Sequence, residues 1–399
     1  MTIRKIIHLD LDAFFCAVEE LRDPSLRGKP FAVGGAPDSR GVVASCSYPA
    51  RKQGVHSAMP MSVAVRTCPA LLIVPARHRD YATHSRQVMK RLRALTPLVE
   101  QISIDEAFLD VTELEEKAST LARRLQQIIF TELGLPCSLG VATNKLVAKI
   151  ANNVGKASAL RREGHEGPPN ALQVVLPGQE AAFLAPLATG ELWGVGPKTA
   201  LRLAELGMQT IGDIARFPEK ELVARFGKIG AELALRSHGI DTRPLVTEHE
   251  RKSISEETTF VRDVSDGEHL RGTLREQSES VAASLKAAGL TGACVKLKLR
   301  WSDFTTLTRQ TTLAGGTDDP ALIYATVEQL LGKEWSGRPV RLIGVGVSAL
   351  SDEARQMGLF DAPDERADRL FTTMQTLRRR FGEAAVRKAS EMGKEKDGE

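Results

Sequence analysis

The sequence predicts an α+β protein of several domains, and three observations carry that expectation. Its 399 residues are enough for about two to four domains with substantial cores, and 42% hydrophobic residues is the share of an ordinary globular chain. Up to residue 170 strand and helix patterns alternate, whereas from 171 to 240 short helices separated by Gly and Pro take over. A polar linker, 241–252, then leads into a second mixed region, 253–351, and a terminal segment, 352–399.

In order along the chain, "KIIHLDLD" reads as a strand and "AFFCAVEELRD" as a helix. "GVVASCSYPARKQG" reads as a strand turning into a helix, and "THSRQVMKRLRALT" as a helix. The helix "ASTLARRLQQIIFTELG", the strand "CSLGVA" and the helix "NKLVAKIANNVG" complete the first region. In the second, the strands "ACVKLKLRWSD" and "RLIGVGVSAL" flank helices near 268–289 and 320–332.

Composition excludes several classes. Cys16, Cys46, Cys68, Cys137 and Cys294 stand far apart with no C-x-x-C pair and no clustered histidines, which argues against a zinc site or a disulfide framework and for a reducing, cytoplasmic setting. Asp10 and Asp12 interrupt the apolar start of the chain, and no later run is long enough to span a membrane, so neither export nor membrane insertion is expected. The net charge of +4 permits nucleic acid as a partner without pointing to it.

"QISIDEAFLD" places Asp105 and Glu106 side by side among apolar residues. A regular strand would send one of the two into the core, where an unpaired carboxylate is costly. A tight hairpin at Ser103 to Glu106 relieves the conflict and lets both converge on one rim, where they need a cation. Asp10 and Asp12 end another apolar strand and, on a period of two, share a face. Carboxylates from two such strands could hold two Mg²⁺ ions about 3.5 to 4 Å apart, the arrangement that activates an attacking oxygen and stabilises a leaving pyrophosphate. The bland alternative is a set of surface carboxylates at strand ends.

Phosphates would need basic partners. "SYPARKQG" offers Tyr48, Arg51 and Lys52, and "NKLVAKIANNVGK" offers Lys145, Lys149 and Lys156; a solvated basic helix face is the alternative for Lys52 and Lys145. "GVGPK", with Gly194, Gly196 and Lys198, has the form of a helix-hairpin-helix turn, whose exposed N–H groups suit a DNA phosphate. In "VKLKLRW", Lys296, Lys298 and Arg300 fall on one face and Val295, Leu297, Leu299 and Trp301 on the other, which suits a sheet that tracks a nucleic-acid backbone.

These stretches, "HLDLDAFF", "YPARKQGV", "SIDEAFLD", "NKLVAKIA" and "GVGPKTA", resemble in order and spacing the Y-family DNA polymerases, the bacterial members most closely. The resemblance implies a right-hand fold with palm and fingers over 1–170 (fingers about 14–77), a helical thumb over 171–240, a flexible linker and an α/β little finger over 253–351. It implies Asp10, the Leu11 carbonyl, Asp105 and Glu106 as the metal site, with Asp12 structural, and two Mg²⁺ ions for which Mn²⁺ can substitute. It places Tyr48, Arg51 and Lys156 on the incoming triphosphate, with Ser45 near them. It puts Phe14 and Phe15 at the nucleotide, Phe15 as the steric gate whose ring leaves no room for a ribose 2′-OH and Phe14 turned toward the core. After Lys156, where the family has Pro and Gly, this chain runs "VGKASALRREGHEG", so a longer loop is expected there.

The activity so implied is template-directed transfer of dNMP to a primer 3′-OH, with low fidelity, lesion bypass and no proofreading. Primer-template DNA, dNTP and a bacterial sliding clamp are the implied partners of a monomer. "ARQMGLFDAP" resembles a clamp-binding peptide through Gln356, Leu359 and Phe360, and the tail beyond puts Leu370, Met374, Leu377 and Phe381 on one helical face. Two other classes share part of the pattern. A palm-fold nucleotidyl cyclase would have no use for "GVGPK" or the basic strand, and a non-catalytic DNA-binding accessory protein would not need Asp10, Asp105 and Glu106.

Overall fold

The computed structural model describes residues 3–248 and 250–352, with Thr373 and Leu377 beyond them. The clamp-like residues Gln356, Leu359 and Phe360 lie outside the described residues, as do Leu370, Met374 and Phe381. The chain divides into two compact units, the first running to Arg251 and including Thr259–Arg262, the second formed by Lys252–Thr258 and the residues from Asp263 on.

The first unit opens with β1 (Ile6–Leu11) and α1 (Phe14–Arg22). Next come β2 (Phe31–Gly34), β3 (Val43–Cys46), the short helices α2 (Tyr48–Lys52) and α3 (Met61–Thr67), and β4 (Leu72–Val74). These strands form a small sheet of order β3-β2-β4 over a core of Ala32, Val43, Val55 and Met61. The long helix α4 (His78–Leu95) returns the chain to the hairpin β5 (Val99–Gln101) and β6 (Glu106–Asp110). Then follow α5 (Ala118–Leu133), β7 (Cys137–Ala142), α6 (Lys145–Leu160) and β8 (Leu172–Val174).

The larger sheet has the order β5-β6-β1-β7-β8, with β1 antiparallel to both its neighbours. Period two explains its two faces. Ile7, Leu9 and Leu11 pack with Val88, Leu92, Leu121 and Leu125 of α4 and α5, whereas Ile6 and Phe108 pack with Val147 and Ile150 of α6. His8, Asp10 and Glu106 share that second face, so α6 lies over them. Gly140 lets α6 seat closely: a Cβ there would stand 2.0 Å from the Ala148 carbonyl oxygen and 2.5 Å from the Asn152 nitrogen. Asn144 caps α6, its Oδ1 accepting from Val147 N at 3.0 Å.

The helical stretch contains α7 (Glu180–Leu184), α8 (Pro197–Glu205), α9 (Ile211–Arg216), α10 (Glu219–Phe226) and α11 (Lys228–Ser237). Three expectations need correction. The region 171–240 is not free of strands, because β8 adds to the sheet edge beside β7. The residues after Lys156 remain helical to Leu160, so the loop starts only at Arg161. The start of the 241–252 linker is docked. Asp241 accepts from Leu146 N at the head of α6 and from the Arg243 guanidinium, Arg243 lies over the Trp193 ring at 4.6 Å, and Val246 N donates to Glu100. Asp241 and Arg243 thus find partners within the protein, while Thr242, Pro244 and the residues from Val246 to Glu248 stay exposed.

The second unit comprises β9 (Ser253–Val264) apart from Thr259–Arg262, α12 (Gly267–Ala288), β10 (Thr291–Trp301), β11 (Thr306–Thr317), α13 (Pro320–Glu334) and β12 (Val340–Ser351), with sheet order β11-β10-β12-β9. α12 packs on β12 and α13 on β10, burying Leu274, Val281, Ile323 and Val327 with Val295, Leu297 and Leu299. The alternation expected for β10 is present, with Lys296, Lys298 and Arg300 on the opposite side. All five cysteines are free and buried, and no described helix is long and apolar enough to cross a membrane.

Candidate active site

The Ser103–Glu106 hairpin forms as expected. Ile102 N and Ser103 N donate to the Glu106 carbonyl at 3.0 and 3.3 Å, and the Ser103 hydroxyl collects N–H donors from Asp105 and Glu106 while donating to Asp105 Oδ1. Leu11 N donates to the Asp105 carbonyl at 3.0 Å, which fastens the turn to the end of β1. Asp10 and Glu106 are cross-strand partners, so both carboxylates stand on one face within reach of each other.

That face is roofed by α6. Lys145, Lys149, Asn152 and Lys156, at helical spacings of 4, 3 and 4, all turn toward the sheet. Lys145 Nζ binds both oxygens of Glu100, Lys149 Nζ stands 2.8 Å from both oxygens of Glu106, and Asn152 bonds His8 and the Ser138 carbonyl. Lys156 Nζ lies 2.5 Å from Asp10 and 3.2 Å from Asp12. The basic helix face is therefore turned inward, onto carboxylates, and not solvated. Lys145 is nearly inaccessible and structural; Lys52 is exposed and donates to the His165 carbonyl.

Burial governs the electrostatics. It pushes the Asp10 carboxyl above its usual range; Lys156 opposes this and Glu106 adds to it. Burial likewise raises Asp12 against Lys156 and its hydrogen bonds. Burial works against the Lys156 ammonium, but Asp10 and Asp12 outweigh it and hold its pKa above the ordinary lysine value. Asp12 lies past the end of β1 and is only 1% exposed, where Ser138 Oγ and Asn170 N donate to it. The face it was expected to share with Asp10 ends with the strand, and Lys156 alone joins the two.

The donor set suits a hard divalent cation: carboxylate oxygens on adjacent strands in register, each already drawing a positive group. Among the described residues no three His, Cys, Asp or Glu close around one point. Asp10 and Glu106 are each turned onto a lysine, and Asp105 onto Ser103.

Ala13, between Asp12 and α1, holds a left-handed backbone with φ 46°, a costly conformation for a residue with a Cβ. It starts α1 without a side-chain cap, so the N–H groups of the first turn are left for an outside acceptor. Phe14 is 2% exposed and packs in the core, so its ring cannot meet a nucleotide; only its main chain can. Phe15 is half-buried and stacks on Tyr81 with ring centroids 4.2 Å apart. Tyr81 Oη donates to Glu19, which also pairs with Arg77 at 2.7 Å. Nothing near Phe15 in the chain signals this backing, because Tyr81 and Arg77 arrive from α4 and its approach.

Tyr48 is 8% exposed with the Arg51 guanidinium 5.2 Å from its ring centre, and burial keeps its phenol protonated. Arg51 itself is exposed, and Ser45 is buried beside Cys16. A cavity of about 470 Å³ runs from Asp12 and Ala13 past Cys16 and Tyr48 to Lys52 and Glu166. Phe15, Arg51 and Lys156 are not among its lining residues, though Tyr48 beside Arg51 and Asp12 beside Lys156 are. In the helical region Gly194, Gly196 and Lys198 are exposed; Gly194 has φ 101°, and the stretch before it is a single 3₁₀ turn.

A sheet presenting carboxylates from two adjacent strands, with a basic cluster beside them, and a second unit with a basic sheet face are the features expected of a right-hand nucleotidyl transferase. Residues 9–153 match the model of the impB/mucB/samB family, and residues 251–359 that family's C-terminal domain. DNA polymerase IV of Desulfatibacillum aliphaticivorans is 40% identical over 398 residues, covering 98% of this chain and 97% of the relative. DNA polymerase IV of Streptomyces coelicolor is 41% identical over 373 residues, covering 92% and 75%. Among solved structures, a Y-family DNA polymerase chimera of Dbh and Dpo4 superposes with a TM-score of 0.75 at 29% identity, covering 86% of this chain and 98% of that one. An insertion ternary complex of Dbh DNA polymerase gives 0.61 at the same identity and coverage. The chain belongs to the Y family of DNA polymerases. It is a DNA-directed DNA polymerase of the translesion class, with the palm, fingers, thumb and little finger of that family, and it works with divalent metal ions.

Proposed function

We propose that the rim formed by Asp10, Asp105 and Glu106 is the polymerising centre, where a primer 3′-OH displaces pyrophosphate from a dNTP and one dNMP is added. The observation that carries this reading is the register of Asp10 opposite Glu106, with Asp105 one residue away on a hairpin fastened to Leu11. Divalent cations, two Mg²⁺ in this reading with Mn²⁺ as a substitute, lower the pKa of the 3′-OH and neutralise the triphosphate when bound. Asp10, the Leu11 carbonyl, Asp105 and Glu106 hold them. Tyr48 and Arg51 donate to phosphate oxygens, Ser45 backs them, and Lys156 joins them from α6.

The Phe15 ring, fixed against Tyr81, stands where a 2′-OH would project and excludes it by clash. Gly194, Gly196 and Lys198, together with Lys296, Lys298 and Arg300, hold the DNA backbone without reading sequence. The palm and fingers then span 1–170, the thumb 171–240, the linker 241–252 and the little finger 253–351. The ternary complex among the solved relatives supports DNA and nucleotide as joint substrates. Synthesis of low fidelity without proofreading, by a cytoplasmic monomer, completes the reading.

Primer extension on undamaged and damaged templates tests it: extension past a lesion is expected, and failure to extend either template overturns it. Clamp binding through Gln356, Leu359 and Phe360 is tested separately. Changing Leu359 and Phe360 to Ala removes two side chains worth roughly 1.5 to 3 kcal/mol each on burial. Stimulation by the loaded clamp is expected to collapse while clamp-free extension stays unchanged; equal stimulation of parent and variant overturns the assignment.

A further inference from the structure

α6 carries its charged residues toward the sheet, an unusual choice for a helix whose neighbours Val147, Ile150 and Ala151 are fully packed. Bringing lysines into such a place costs desolvation, which is recovered only where each meets a well-placed partner. Lys145 does so for Glu100, away from the rim. Lys149 and Lys156 do so for the two carboxylates that face each other across β1 and β6.

We propose that Lys149 is a positioning residue for Glu106, and that with Lys156 it is the resident counter-ion of the carboxylate rim until a divalent cation displaces it. This rests on the reading of Asp10 and Glu106 as cation ligands. Without a positive group between them, two partly buried carboxylates on adjacent strands would repel and splay. Lys149 meets both Glu106 oxygens at 2.8 Å, which fixes the carboxylate plane as well as its place. Its ammonium also stands 5.8 Å from the centre of the Trp193 ring, and Trp193 is held in turn by Arg243 and Phe108. A displaced Lys149 therefore keeps an anchorage, whereas a displaced Lys156 has only Asp10 and Asp12 to leave and becomes free to meet phosphate. The two lysines share one task before the cation arrives and separate afterwards.

Mn²⁺ titration of the full chain without DNA or nucleotide, followed by electron paramagnetic resonance, tests this. A resident counter-ion competes with the cation, so Lys149→Met is expected to bind Mn²⁺ roughly tenfold more tightly than the parent, and Lys149→Arg close to the parent. The metal-free Lys149→Met protein should melt below the parent and regain more on Mn²⁺ addition. A packing defect would loosen the site and weaken binding, so tighter binding separates the two explanations. Equal or weaker Mn²⁺ affinity in a folded Lys149→Met protein overturns the proposal. Should that variant fail to fold, Lys156→Met carries the same expectation, and equal or weaker affinity there overturns the proposal in the same way. Asp10→Asn guards the underlying reading: loss of Mn²⁺ binding there with no gain in the lysine variants sinks only the counter-ion role, while unchanged binding in Asp10→Asn sinks the cation site itself.

Discussion

Each unit lays helices over a largely antiparallel sheet, yet they dispose of their cations in opposite ways. In the first, α6 turns Lys145, Lys149 and Lys156 inward onto Glu100, Glu106, Asp10 and Asp12. In the second, α12 and α13 bury only apolar and uncharged polar side chains against the sheet, and the basic residues of β10 stand on its other face. Under the function proposed above, the difference separates the place of chemistry from the place where DNA is merely held. Inward cations preset a charge pattern that reacting groups can exploit at short range. Outward cations give a surface that a phosphate backbone can follow, because their partners, Glu257 for Lys298 and Thr306 for Arg300, are themselves exposed.

The sharpest way to break the comparison is at the rim. Asp105→Asn or Glu106→Gln is expected to lower extension on the order of a thousandfold or more while DNA affinity stays near the parent value, since the holding groups are elsewhere. Substantial synthesis by either variant in a single-turnover assay would remove the rim from the chemistry. Next in size, Leu297→Ala, at a buried position of β10, should cost about 2 to 5 kcal/mol of stability by urea unfolding, and Lys298→Ala beside it, paired with Glu257 at the surface, less than about 1 kcal/mol. Similar losses in both would mean that β10 has no inner and outer side.

Phe15→Ala should admit ribonucleotides, cutting the preference for dNTP over rNTP roughly a hundredfold with a smaller loss of dNTP incorporation. A preference equal to the parent's would assign the gate to another residue. A pH effect sharpens the picture of the inward face. Burial, aided by Lys149 and Lys156, holds the His8 imidazole well below its ordinary pKa, so below about pH 6.5 the unfolded chain takes up a proton that the folded chain refuses. Stability should therefore fall from pH 7.5 to 5.5, and His8→Gln should flatten that fall. Asp10 and Asp12, raised by burial, act in the opposite sense at lower pH, so the difference between parent and variant is the quantity to read. The smallest effect is expected at Lys296→Ala, a reduction of about 0.7 to 0.9 in the slope of log affinity against log salt, with little change at low salt.

Local chemistry made parts of this molecule legible. Two adjacent acids in an apolar run required a turn, and the hairpin at Ser103 supplies it; alternation in "VKLKLRW" set both faces of β10. β9 and β11 went unread because their residues are mostly exposed and their Thr-rich or charged runs carry no apolar period. The spacing of Lys145, Lys149 and Lys156 was visible, but which way it pointed was not. Lys156 meets Asp10 across 146 positions of sequence, and only the folded sheet brings them together. The docking of Asp241 and Arg243 was hidden for the same reason, as their partners Leu146 and Trp193 are remote in the chain.

Gly140 gives all of this a single mechanical stop. The missing side chain sets how deep the helix above it can sink, and with it how far every lysine head on that helix reaches. A methyl group there would lift the helix like a shim under a ruler, withdrawing three cations at once without altering any charge. An uncharged position in the middle of a strand thus governs the electrostatic tuning of the carboxylate rim as a whole.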